Sequence, residues 1–364
     1  MNQTRFHALH LAHAAKMVSF AGFEMPIQYA GGIMHEHDVV RSKVGVFDVS
    51  HMGEFDVRGT DSLAFLQKLT VNDVSKLTPG KAQYSAMCLP HGGIVDDLLV
   101  YMLADNHYMM VVNGACMDKD WEWATSNAAS FADCVLTNKS DATNLLAIQG
   151  PQSLATLQKL TTSDLASIPY YSFVEGTLAG RPMILSRTGY TGEIGMEIYF
   201  EGDESVCTEV WNAVFEAGAE FGIEPVGLGA RDTLRLEKGY CLYGNDIDET
   251  TNPLEAGLGW ITKLAKGPFN GSDVIASVKE AGVTRKLVGL VVHVDKFIAR
   301  HGYEIHHDGA CIGTVTSGNI APSLSKAIAM GYVPAALATP GTMVDIAARG
   351  KLFPAEVVKM PFLA

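Results

Sequence analysis

The sequence is poor in the features that would each settle a class of function. It has six cysteines in 364 residues (Cys88, Cys116, Cys134, Cys207, Cys241, Cys311), none in a CxxC pair. That excludes a disulfide framework or a zinc-binding thiol set and fits reduced thiols in a reducing compartment. No apolar run approaches the ~18 residues needed to span a bilayer. Residues 1–16 are rich in His and Ala and lack a signal-peptide core, so a cytoplasmic location is expected. Positive charge is also scarce. The net charge of -13 argues against a nucleic-acid backbone or an anionic membrane as partner, although a local basic patch could still hold a small anion. There is no internal repeat, no low-complexity stretch, no Ser-His-Asp pattern and no nucleophile elbow.

What is present is core-forming material. Hydrophobic residues make up 48% of the chain and charged residues 18%, which excludes disorder, and the length suggests two or three domains. An amphipathic helix is expected from about Thr4. Others are expected after Asp61, from Gly150-Pro151 with Pro151 at the first helical position, along Val206, Val210, Trp211, Val214 and Phe215 up to Gly222, and from Ser272 to about Gly282. Strands are expected at 54–57, 82–88, 95–102, 108–113, 144–148, 183–186 and 196–200. They mix with helices without a βαβ rhythm, which favours an α+β fold. From Lys286 the helical period fades. Short β-rich runs at 287–294, 312–316, 327–333, 342–347 and 352–358 alternate with Asp308-Gly309, Pro340-Gly341 and Arg349-Gly350. A small antiparallel β-barrel is expected there, with a boundary near Asn270.

Four constellations carry possible chemistry. Asp96 and Asp97 interrupt an apolar strand after a Gly92-Gly93 turn. Burying unpartnered carboxylates costs several kcal/mol. The pair is therefore either satisfied by donors or kept for acid–base or electrostatic work. Alternation puts Asp97 with Val95, Leu99 and Tyr101, and Asp96 with Ile94, Leu98 and Val100. Both faces are apolar, so periodicity does not choose between the two acids. The second constellation runs from Ser186 to Ile198 and spaces Gly189, Gly192 and Gly195 three apart. A dinucleotide loop would need a helix next, whereas 196–200 reads as a strand, so a ligand-lining loop is the better reading. Glu197 then sits in apolar company, either as an edge-strand surface residue or as a buried acid. The third runs from Gly227 to Glu237. Arg231 and Arg235, four apart, share a helical face. They serve either ion pairs with Asp232 and Glu237 or a clamp on an anionic ligand. The fourth, 240–249, alternates acids without the calcium-loop spacing, and a structured polar loop is expected. His35 and His37 would not face each other on a helix, and His306-His307 precedes a turn, so no metal site is expected.

Taken together, the stretches 16–26, 44–54 (ending Ser50-His51-Met52-Gly53-Glu54), 92–97, 186–195, 227–237, 242–248 and 315–318 resemble, in order and over nearly the whole chain, the aminomethyltransferase (T-protein) family of the glycine cleavage system. The resemblance implies an α+β fold of three domains in a cloverleaf around a central folate cavity: 1–52 with 138–270, 53–137, and the barrel at 271–364. It implies tetrahydrofolate as acceptor substrate, no metal, the lipoylated H-protein as partner, and the P- and L-proteins indirectly. It assigns the key carboxylate to Asp97, the pterin contact to Glu197, a folate contact to Arg231, and pocket-lining positions to Tyr84, Tyr101, Asn113 and Tyr190. Family members often carry a longer tail than the Leu363-Ala364 ending here, so a tail contact to the folate would be missing or supplied from elsewhere. Two other readings stay open: a folate-dependent demethylase of a small methylated sulfur or nitrogen compound, and a folate-binding regulator without turnover.

Overall fold

The computed structural model describes residues 1–294 and 296–363; Ala364, on which part of the tail reading falls, lies outside them. The chain divides into two compact units. Met1–Leu66, Val74–Tyr84 and Leu98–Asp232 form the first, and Gln67–Asp73, Ser85–Asp97 and Thr233–Ala364 the second. Among the described residues, no helix is long and apolar enough to cross a membrane.

The first unit contains a six-stranded sheet in the order Phe173–Leu178, Arg181–Ser186, Gly195–Glu201, Thr143–Gln149, Val44–Asp48, Ile223–Pro225. All its pairings are antiparallel except the last. Thr143–Gln149 is central, and its run Leu145, Leu146, Ala147, Ile148 is buried throughout, as expected of a strand covered on both faces. Helix Glu204–Gly218 begins where Asp203 accepts a hydrogen bond from the Val206 amide, a standard N-cap. A 3-10 turn, Ala219–Phe221, continues it to a left-handed Gly222, φ 68°. Its stripe of Cys207, Val210, Trp211 and Val214 is buried in the core formed with Val46, Leu146, Ile148, Ile198 and Phe200. Each such aliphatic side chain contributes roughly 1.5–3 kcal/mol of burial.

A five-stranded sheet follows the order Lys81–Cys88, Ile94–Ala104, His107–Val112, Gly53–Arg58, Val135–Asn138. Its tight hairpin turns at Asn106, φ 56°, a left-handed position that Asn tolerates. In the second unit, six strands close an antiparallel barrel in the order Arg285–Val292, Lys326–Pro334, Ala310–Ala321, Glu304–His307, Met343–Ala348, Lys351–Val358, the last pairing with the first. Alternation sends Val288, Leu290 and Val292 into its core with Ala327, Ala329 and Val333. The fold class is thus α+β with a closed C-terminal barrel.

Two local expectations are corrected. The first helix is only His7–Ala12. Thr4 lies outside it, and its hydroxyl donates to Asp48 Oδ2 at 2.6 Å. Pro151 lies in a turn, and the helix it was expected to open is Ser153–Gln158, with Gln152 at the N-cap position.

Candidate active site

The acid pair belongs to the second unit. Its turn is closed by Leu89 N–H to Gly93 O at 2.8 Å and Gly92 N–H to Leu89 O at 2.9 Å. Gly92 is left-handed, φ 85°. At Gly93 a Cβ would lie 1.8 Å from Glu249 O, so only glycine lets this strand meet the 243–251 loop so closely. The Ile94 amide donates to Asp248 O and Thr251 O, and the Tyr243 hydroxyl donates to Ile94 O at 3.1 Å. Within this clamp the two acids differ. Asp96 is 0% exposed, whereas Asp97 is half-buried.

The 240–249 loop is itself fixed by a saturated acid. Asp246 Oδ2 accepts from Arg235 at 2.8 Å, Ser317 Oγ at 2.9 Å and the Leu242 amide at 2.9 Å, and Oδ1 accepts from Thr316 Oγ1 at 2.5 Å. Arg235 also donates to Tyr240 O at 3.0 Å and to Ser317 Oγ at 2.9 Å. Glu237 accepts from the amide and hydroxyl of Ser323, both at 2.9 Å. Arg235 therefore serves loop architecture, and the structured polar loop is what the geometry displays. A cleft of about 460 Å³ in this unit is lined by Asn245, Asp248, Arg285, His301 and Tyr332 among others, and by none of the expected site residues. On the barrel surface, Glu304, His306 and Cys311 bring one donor atom each within 4.8 Å of one another, which the histidine spacing had not suggested.

The first unit gathers Glu197, Arg231, Tyr101 and Tyr190. Glu197 is on an interior strand, with Ser186 and Ala147 opposite it, and is 8% exposed, so the edge-strand alternative falls. Its Oε2 accepts from Thr188 Oγ1 at 2.5 Å. Burial pushes its carboxyl up, against the Thr188 hydrogen bond and the Arg231 charge. The Tyr101 hydroxyl reaches Tyr199 at 3.0 Å, Ser186 at 3.1 Å and Thr188 at 3.2 Å. The Arg231 guanidinium lies 4.7 Å from the centre of the Tyr190 ring, in cation–π range. Tyr84 is half-buried in Lys81–Cys88, and Asn113 precedes the one-turn helix Gly114–Cys116; both belong to this unit.

Two of the three spaced glycines, Gly189 and Gly195, have a structural cause. A Cβ at Gly189 would sit 2.2 Å from Gln149 Oε1, and one at Gly195 2.3 Å from Gln149 Nε2. The buried amide donates to Thr188 O at 3.2 Å and accepts from Thr191 Oγ1 at 2.8 Å. The glycines make room for this side chain.

Sequence reasoning did not single out His51 and Glu54 as site residues. Each is 2% exposed, and His51 Nδ1 and Glu54 Oε1 are buried with no hydrogen-bond partner among the described residues. Burial, then the Arg231 charge, hold the His51 imidazole down at about 4, so it is neutral near pH 7. Burial, then Glu197, push the Glu54 carboxyl well up. Alternation in Gly53–Arg58 assigns Glu54 to the same face as Asp56 and Arg58, which reads as a polar, solvated face; only the tertiary cover removes it from water.

Residues 6–266 match the family model described as the GCVT N-terminal domain, and residues 285–363 match the glycine cleavage T-protein C-terminal barrel domain. The chain is 51% identical to an aminomethyltransferase of Flavobacterium psychrophilum and 52% identical to one of Bacteroides thetaiotaomicron, each comparison covering 100% of this chain and 99% of the relative. The crystal structure of the glycine cleavage system aminomethyltransferase T from Bartonella henselae superposes with a TM-score of 0.91 at 33% identity, over 100% of this chain and 98% of that one. The chain belongs to the glycine cleavage T-protein family of aminomethyltransferases.

Proposed function

We propose that the chain moves the aminomethyl carbon from the dihydrolipoyl arm of an H-protein to tetrahydrofolate, releasing ammonia and forming 5,10-methylenetetrahydrofolate. The observation that carries this reading is the buried Glu197 carboxyl in a unit that also holds Arg231 against Tyr190. An acid of this kind matches the amidine-like N–H edge of a pterin, and a guanidinium suits the anionic end of a folate. Tyr101, Tyr190, Tyr84 and Asn113 would line the ring and its linker, tyrosine offering an aromatic face with a polar tip. Asp97 would hold negative charge beside the carbon as ammonia leaves and the carbon becomes iminium-like, and would orient the attacking folate nitrogen. Fixed charge aimed at a developing cation lowers the barrier without solvent reorganisation. The P- and L-proteins would act before and after on the same carrier, in the cytoplasm.

The test is an assay with aminomethylated lipoyl carrier, with and without tetrahydrofolate. Folate-dependent release of ammonia and methylenetetrahydrofolate in equal amounts is expected. Folate-dependent demethylation of a small methylated compound with no use of the carrier, or folate binding without turnover, would overturn the reading.

A further inference from the structure

Glu54 has no place in the reaction just described, yet its setting is unusual. It lies in Gly53–Arg58, an interior strand of its sheet. Its backbone is fully used: the amide donates to Ser140 Oγ at 2.9 Å, and the carbonyl accepts from Lys139 N–H at 2.8 Å. Its side chain is not used: Oε1 is sealed from solvent with no partner among the described residues. An orphaned buried polar group destabilises the fold unless something supplies its partner. Glu54 caps no helix, and among the described residues none of its side-chain atoms enters an ion pair or hydrogen bond that would offset this cost. Glu197 and the Tyr199 hydroxyl are within electrostatic reach of it. Three residues earlier, His51 leaves a second buried atom unpartnered.

We propose that Glu54 is a second ring-recognition residue, whose carboxyl hydrogen-bonds the pterin of the bound folate beside Glu197. The inference rests on the folate reading and adds to it. A pterin edge sets a carbonyl acceptor next to amidine donors. One ionised carboxylate satisfies the donors, and the carbonyl needs a hydrogen from the protein. Two ionised carboxylates side by side would repel, so one of a close pair keeps its proton. Glu54, the more deeply buried, is the protonated member and donates to the carbonyl, while Glu197 accepts from the N–H groups.

The experiment is calorimetric titration of tetrahydrofolate into the wild type, Glu54→Leu and Glu54→Gln, each with a thermal melt. Glu54→Leu is expected to bind about tenfold or more weakly, the cost of leaving a ring acceptor unpaired, and to melt at or above the wild type because an orphan group is gone. Glu54→Gln retains a donor and is expected to recover most of that loss. Wild-type affinity in Glu54→Leu would overturn the proposal, as would a normally melting Glu54→Gln that binds as weakly as Glu54→Leu. If Glu54→Leu does not fold, Glu54→Asp withdraws the carboxyl by one methylene; unchanged affinity in that variant would also overturn it. A wild type that binds no tetrahydrofolate would sink the folate reading itself, which separates the two failures.

Discussion

Asp246 and Glu54 are both acids almost without exposed surface, at 0% and 2%, but they are treated oppositely. In the second unit, Asp246 receives one guanidinium, two hydroxyls and one amide. In the first unit, Glu54 Oε1 receives nothing from the described residues. A buried charge held by this many donors fixes architecture, here the 240–249 loop against which the Asp97 strand is clamped. A buried acid left without donors adds nothing to the fold and stays available to a molecule that supplies them. Burial alone therefore does not mark a functional acid; its hydrogen-bond account does.

The contrast would break most visibly at Asp246. Asp246→Ala strands Arg235 in a dry site and should cost about 3–5 kcal/mol, measured as a lowered melting transition; an unchanged transition would mean the saturated network is not structural. His51 comes next. Its folded pKa of about 4 lies below the unfolded value, so between the two the unfolded state binds more protons, and stability must fall as pH drops from about 6.5 to 4. His51→Phe should remove up to ~3 kcal/mol of that acid-side loss, read from melts across the interval. Equal slopes in variant and wild type would place His51 in water. Asp97→Asn should lower turnover by roughly 10²-fold, the usual effect of losing one preorganised charge, with folate affinity changed little; near-normal turnover would remove Asp97 from the chemistry. The smallest effect belongs to Arg231→Ala. About tenfold weaker folate binding is expected, and unchanged affinity would leave its stacking on Tyr190 as a purely structural contact.

Strands with strict alternation or continuous apolar runs were legible in the sequence, and so was the barrel with its Gly-marked turns, because local pattern decides them. Val44–Asp48 and Glu304–His307 were not read as strands, since neither alternates apolar and polar residues throughout. Pattern also failed wherever a partner far along the chain took the group. Thr4 was read as the start of a helix but serves Asp48. The glycines at 189 and 195 clear space for the distant Gln149. Arg235 and Glu237 look like mutual partners but pair with Asp246 and Ser323. Glu197 could be suspected because its neighbours in sequence are apolar. Glu54 could not, because its neighbours Asp56 and Arg58 announce a solvated face.

The most direct measurement is a crystal structure with bound tetrahydrofolate. The expected result has carboxyl oxygens of Glu197 and Glu54 within about 3 Å of pterin polar atoms. A folate ring bound away from both glutamates, leaving Glu54 Oε1 as unpartnered as before, would contradict it.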